Sequence, residues 1–177
     1  FLEQILRDSD RMNELISDLL DLSAMESSDV FMEAFDLHDV IANEISYLSK
    51  QNKKRISYKK KKVEINANFD DISLAVKNLI KNALKYSPPE ENILIQIEEN
   101  DKSVRCSFQD FGSGISESDQ EKIFERFYRV DKGRSRKVGG TGLGLAIVKH
   151  ALDRNNAVIE IVSELDHGSN FTIVFEK

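Results

Sequence analysis

The sequence holds a single cysteine, Cys106, and only two prolines, adjacent at Pro88 and Pro89. One thiol excludes an internal disulfide and argues against a zinc site. Cys106 lies on the apolar side of the alternating run Val104-Arg105-Cys106-Ser107-Phe108-Gln109, so a buried structural thiol is expected there. No apolar run approaches the ~18 residues of a membrane-spanning helix, and no signal peptide opens the chain. A basic surplus is missing too, since 25 Lys and Arg face 31 Asp and Glu for a net charge of −6. General nucleic-acid binding, which needs a basic surface, is therefore not expected. The first residue is Phe1, in mid-pattern and without an initiator Met. That is expected of a piece cut from a longer protein, so the missing membrane segment says little about the parent.

What is present is 177 residues, 40% hydrophobic and 32% charged. That is an ordinary soluble composition, with room for one domain plus a small appendage. Phe1, Ile5, Met12, Leu15, Leu19 and Leu22 recur in steps of three and four, with Asp8 the break. The spacing predicts one amphipathic helix from residue 1 to about 26, of the kind that packs in a bundle or coiled coil. Such a stripe needs a cover, either a missing helix, a second copy or the rest of its own domain. Ser27-Ser28-Asp29 reads as its end. A second helix is expected from Asp36, as cap, to about Gln51, with Val40, Ile41, Ile45 and Leu48 on its inner face. The run from Lys53 to Lys62 is strongly basic and reads as a solvated strand edge or hairpin. Ile72, Ala75, Val76, Leu79, Ile80 and Ala83 predict a helix over 70–86, stopped by Ser87-Pro88-Pro89. Strands are expected at 93–98 and 103–109, a short helix with a capping box at 116–124, a helix at 141–155, and closing strands at 157–163 and 170–175. This interleaving gives an α+β chain. It reads as an α/β sandwich with a mixed sheet covered by helices on one face, preceded by one long bundle helix.

Four segments carry chemistry. Asn78, Asn82 and Lys85 stand at i, i+4 and i+7, so they share one helical stripe beside the apolar face. Amide oxygens ligate a hard cation without adding negative charge, and the ammonium suits phosphate. Read alone, the stripe is equally a solvent face. Asp110-Phe111-Gly112-Ser113-Gly114-Ile115 places a carboxylate at a strand end before two glycines. An ionised Asp accepts from an exocyclic amine, and glycines let backbone approach a flat ring. A plain glycine turn has the same look. Phe124-Glu125-Arg126-Phe127-Tyr128-Arg129 mixes aromatics with guanidinium groups that can reach phosphate. Gly139-Gly140-Thr141-Gly142-Leu143-Gly144 runs into a helix whose free N–H groups suit phosphate, with neither P-loop nor dinucleotide spacing.

Taken in order, these segments resemble the N box (Asn78–Tyr86), first glycine box (Asp110–Ile115), F box (Phe124–Arg129) and second glycine box (Gly140–Gly144) of bacterial two-component sensor histidine kinases. Arg11 to Ser23 resembles the second helix of that family's dimerisation and histidine-phosphotransfer hairpin. The resemblance implies the sandwich fold shared with gyrase, heat-shock chaperone and mismatch-repair ATPases. It implies domains at 1–28, the partial hairpin, and at 29–177, the ATP-binding domain. The implied cofactors are ATP and Mg2+. Asn82 becomes the magnesium ligand through the nucleotide, Asn78 lies near the γ-phosphate, and Lys85 and Arg129 lie on phosphates. Tyr86 lies beside the nucleoside, and Asp110 reads adenine within a loop shaped by Gly112 and Gly114. Ile115, Phe127, Thr141 and Leu143 join the nucleotide-binding set, and Gly140, Gly142 and Gly144 form the phosphate side of a lid spanning roughly 111–142. The implied partners are a response regulator receiver domain and a second kinase subunit. The implied setting is the cytoplasmic side of a parent protein anchored in the inner membrane. His38, His150 and His167 all lack the acidic neighbour and downstream proline of a phospho-acceptor, so the acceptor is expected upstream of Phe1. An ATP-hydrolysing machine of the same superfamily and a silent nucleotide-binding module are the competing readings.

Overall fold

The computed structural model describes residues 2–130 and 140–177. Helix α1 spans Leu2–Ser27. Strand β1 follows at Glu33–Asp36. Helices α2 at Leu37–Ser46 and α3 at Lys50–Lys54 come next. Then come β2 at Ile56–Tyr58, β3 at Glu64–Ala67 and α4 at Phe69–Tyr86. Strands β4 at Ile93–Glu99 and β5 at Ser103–Asp110 form a hairpin. A short α5 at Glu117–Gln120 and a 3-10 turn at Lys122–Phe124 lead to the region of residues 131–139, which lies outside the described part. Helix α6 at Gly144–Arg154, β6 at Ala157–Glu164 and β7 at Gly168–Glu176 close the chain.

Five strands form one mixed sheet in the order β2-β4-β5-β7-β6, with β2 parallel to β4 and the other pairs antiparallel. Alternation explains the buried face: Ile93, Ile95 and Ile97 of β4 and Val104, Cys106 and Phe108 of β5 all point into the core. Against them pack Ile72, Val76, Leu79 and Ile80 of α4 and Ile147, Ala151 and Leu152 of α6. Fully burying each such aliphatic side chain contributes about 1.5–3 kcal/mol. Cys106 is buried, as its place in the alternation requires, and desolvation pushes its thiol well above the ordinary range.

Three local expectations give way to tertiary contacts. Strand β1 had no signal of its own, because it pairs with distant β3 in a separate two-stranded sheet. The helix expected over 36–51 divides at Tyr47. Asp36 caps α2 by accepting from the His38 N–H, and Ser49 caps α3 by accepting from the Asn52 N–H. The basic run is not a hairpin, since β2 and β3 belong to different sheets.

Arg55, part of that run, is half-buried rather than free in solvent. Its guanidinium donates to the carbonyls of Leu84, Ser87 and Pro88 at 3.2, 3.3 and 2.8 Å, and to Glu91 at 3.2 Å. These oxygens lie at or just beyond the C-terminus of α4, where helix carbonyls lack partners and the dipole is negative. Arg55→Ala is expected to lower stability by about 2 kcal/mol, the scale of charged hydrogen bonds lost at a partly buried site. Denaturant unfolding followed by circular dichroism checks this.

Candidate functional site

Helix α4 carries the asparagine stripe because its other side is core. Asn68 caps it through the Asp71 N–H, and Asp70 and Asp71 sit in its first turn. Asn78, Asn82 and Lys85 are half-buried at the margin of the packed face. The Asn78 amide donates to the Leu74 carbonyl at 2.9 Å, and its Oδ1 faces Gly144. Asn82 makes no side-chain hydrogen bond among the described residues.

Two glycine-bearing segments meet this helix. A Cβ at Gly112 would collide with the Tyr86 carbonyl, and one at Gly140 with the Lys85 ammonium. A Cβ at Gly144 would lie 3.0 Å from Asn78 Oδ1. The Asp110 loop is also tied to the end of α4 by the Phe111 N–H, which donates to Ser87 Oγ at 3.0 Å. The segments that looked separate in sequence therefore converge. A Cβ at Gly142, whose φ is 76°, would lie 2.9 Å from the Phe127 carbonyl carbon. The Phe127 N–H donates to the Gly142 carbonyl at 2.9 Å, joining the two ends of the glycine-rich segment around 131–139. Phe127 itself holds φ 66°, a conformation a bulky residue rarely adopts. No side chain caps α6, so its first N–H groups remain available to an acceptor.

Asp110 ends β5 and is buried. Desolvation pushes its carboxyl above the usual range. The backbone of Gly112 and the backbone and hydroxyl of Ser169 pull it back by hydrogen bonding. The Gly112 N–H donates to its Oδ1 at 2.9 Å. Ser169, opposite Asp110 in the β5–β7 register, had no mark in the sequence because the register between remote strands sets the contact. Gly168, at φ 83°, has the same origin: a Cβ there would strike the Asp110 carbonyl.

Positive charge gathers around the last turns of α4. Burial holds the Lys85 ammonium below its ordinary range. Lys81 and Arg129 press in the same direction, and Glu14 and Asp18 of α1 oppose them. The Lys85 ammonium lies 5.4 Å from the centre of the Tyr86 ring. Desolvation raises the Tyr86 hydroxyl, and the nearby charge of Arg129 lowers it. Tyr128 places the arginine segment by donating to Asp119 at 2.6 Å. The capping box expected at Ser116 takes another form, since the Ser116 hydroxyl donates to the Asp119 carboxylate rather than capping backbone.

Some sequence-selected residues stand back from this crevice. Leu143 is fully buried in the core, and Ile115 packs against it with its N–H bound to Ser163 Oγ. The Thr141 hydroxyl is engaged by Asp18 of α1. A groove of about 760 Å3 borders the same flank of α4, lined by Glu14, Glu44, Lys77, Lys81, Lys85 and Gly140 among others. His38 is buried with its Nδ1 2.8 Å from the Tyr58 hydroxyl, while His167 is exposed in a turn. Among the described residues no cluster of His, Cys, Asp or Glu can hold a metal by itself. A cation here would draw on amide oxygens and on a ligand's own oxygens, which the Oδ1 of Asn78 and the unengaged amide of Asn82 fit. Among the described residues no helix is long and apolar enough to cross a membrane.

Residues 67–177 match the family described as histidine kinase-, DNA gyrase B- and HSP90-like ATPase. The chain is 38% identical over 182 residues to the phosphate regulon sensor protein PhoR of Pseudomonas aeruginosa, covering 98% of this chain and 41% of PhoR. It is 32% identical over 185 residues to the sensor-like histidine kinase SenX3 of Mycolicibacterium smegmatis, covering 98% and 47%. The chain thus spans less than half the length of these curated relatives. Full-length ShkA, solved in complex with AMPPNP, shares the fold with a TM-score of 0.77 at 22% identity, over 97% of this chain and 37% of ShkA.

Two outcomes follow from the packing. Gly112→Ala is expected to cost about 1–3 kcal/mol, the scale of overpacking against fixed backbone, read as a lowered denaturation midpoint. For Asp110 the sign is opposite. A carboxyl whose folded pKa lies above its unfolded value favours the fold at acid pH and loses that contribution as pH rises through the folded pKa. Asp110→Asn is therefore expected to leave the calorimetric melting temperature at neutral pH unreduced.

Proposed function

The chain belongs to the histidine kinase-, DNA gyrase B- and HSP90-like ATPase family, and we propose that it binds ATP with magnesium and delivers the γ-phosphoryl group to a histidine imidazole. The phosphoryl group then passes to an aspartate of a response regulator receiver domain. The single observation that supports this reading most is the close approach of Gly112 and Gly144 to the two ends of one asparagine stripe. A purine recognised by Asp110 and a triphosphate lying along Asn78, Asn82 and Lys85 then share one crevice.

On this reading each residue has a stated task. The ionised Asp110 accepts from the exocyclic amine of adenine. Tyr86 lies beside the nucleoside, and Lys85 and Arg129 neutralise phosphate. Asn82, with Asn78 beside it, holds the magnesium-bound phosphates. Magnesium supplies charge neutralisation of the phosphates when bound. The chain's own contribution is positioning and a crevice that excludes water. The lid expected over roughly 111–142, of which 131–139 lie outside the described residues, is to close over the nucleotide and open for product release.

Residues 1–28 are the second helix of a dimerisation hairpin and 29–177 the catalytic domain. The exposed Ile5, Met12, Ile16 and Leu19 of α1 fit a bundle formed with a second subunit. The setting is the cytoplasmic side of a membrane-anchored parent. The acceptor is none of the three histidines present: His38 is bound to Tyr58, and His167 lies in a turn beyond β6.

Isothermal titration tests the site. Asn82→Ala is expected to abolish magnesium-dependent ATP binding, and unchanged affinity removes Asn82 from its role. Asp110→Asn is expected to weaken adenine nucleotides at least tenfold, about 1.4 kcal/mol or more. Wild-type affinity should fall on acidification above the ordinary carboxylate range, because the raised pKa of Asp110 removes its acceptor early. The chain incubated with labelled ATP should carry no acid-labile phosphate, and steady phosphate release without an acceptor would favour a hydrolase instead.

A further inference from the structure

Helix α1 reaches the catalytic domain through its C-terminal half. Leu22 and Met25 are buried, while Leu2, Leu6, Met12, Ile16 and Leu20 stay exposed. The polar contacts are specific. Glu14 pairs with Lys81. Asp18 Oδ2 accepts the Thr141 hydroxyl at 2.5 Å. Glu26 pairs with Arg126 at 2.6 Å. Arg154 fastens the far end by donating to the carbonyls of Met25 and Ser28 and to Asp71.

Glu14 and Asp18 stand one helical turn apart, so they share a face. Their partners are Lys81, next to Lys85 on the surface of α4, and Thr141, within the glycine run. Glu14, Lys81, Lys85 and Gly140 line one groove. Both carboxylates also contribute to the field at Lys85. Two anions of the chain itself therefore lie beside the groups assigned above to phosphate.

We propose that Glu14 and Asp18 act as an internal counter-anion at the phosphate end of the crevice, so that docked α1 and bound nucleotide oppose each other. This deepens the nucleotide-site reading and rests on it. A triphosphate brought beside two carboxylates is repelled, and the Thr141 hydroxyl donates its single proton to only one acceptor. Coupling of this kind is reciprocal: whatever factor docking takes from nucleotide affinity, nucleotide takes from docking. Ion pairs at a partly exposed surface are weak, so a charged ligand can displace α1. Nucleotide binding then loosens the stretch of α1 around Glu14 and Asp18, while buried Leu22 and Met25 and the Arg154 contacts hold its C-terminal end.

The test is titration of the full chain with magnesium AMPPNP. Glu14→Gln/Asp18→Asn is expected to bind roughly three- to tenfold tighter than wild type, from the combined weight of two surface pairs. The charge-matched control Asp8→Asn/Asp10→Asn, on the exposed N-terminal part of α1, is expected to match wild type. Affinity in Glu14→Gln/Asp18→Asn no tighter than wild type, or a control that tightens equally, overturns the inference. If Asp110→Asn still loses binding in that case, the nucleotide site stands without it. Absence of binding by wild type at millimolar AMPPNP overturns both. A second measurement needs no variant. Amide hydrogen exchange over residues 11–25 of the wild-type chain is expected to speed up when magnesium AMPPNP is added, and unchanged or slower exchange there overturns the proposal.

Discussion

Backbone lies against the last turns of α4 where no Cβ fits, and every proposed function of this chain depends on that contact. Gly112 under the Tyr86 carbonyl, and Gly140 and Gly144 beside Lys85 and Asn78, bring two loops to one helix. A Cβ at Gly112 would strike fixed backbone, whereas at Gly140 and Gly144 it would meet side-chain ends of α4. The same end of α4 is stiffened by Arg55, which satisfies carbonyls the helix leaves open. Rigid support beneath and close approach above bring the loop that carries Asp110 to the end of the helix that carries Asn78, Asn82 and Lys85.

Electrostatics divides that crevice. Asp110 sits where burial makes its charge costly, and the hydrogen bonds of Gly112 and Ser169 pull the other way. Lys81, Lys85 and Arg129 crowd the C-terminal part of α4, with Lys85 partly desolvated. Crowded cations need anions. The chain supplies Glu14 and Asp18 from α1, and a polyphosphate supplies a stronger set. The acidic balance of the whole sequence, net −6, makes this local positive pocket stand out.

Much of the machinery was legible from local pattern. The apolar period of 70–86 gave α4 almost to the residue, and the alternation in 103–109 gave β5 with Cys106 facing inward. The motif residues Asn78, Asn82, Lys85, Asp110 and the glycines could be selected because each residue type carries its own chemistry. What could not be selected was any residue whose task depends on a remote partner. Arg55 looked like one more charge in a basic run. Ser169 lay just outside the strand expected at 170–175, and Glu14 and Asp18 carried no mark of their own. Ser116 looked like a helix cap.

The sequence by itself determined the elements, the mixed sheet with helices on one face, and the inventory of nucleotide-type chemistry. These follow from periodicity and from side-chain identity, which act over a few residues. Only the tertiary structure decided that β1 pairs with β3, that the basic run crosses between two sheets, and that α1 lies against Lys81 and Thr141. Those outcomes depend on which surfaces meet after collapse, and contacts between residues up to 129 positions apart leave no periodic trace in the chain.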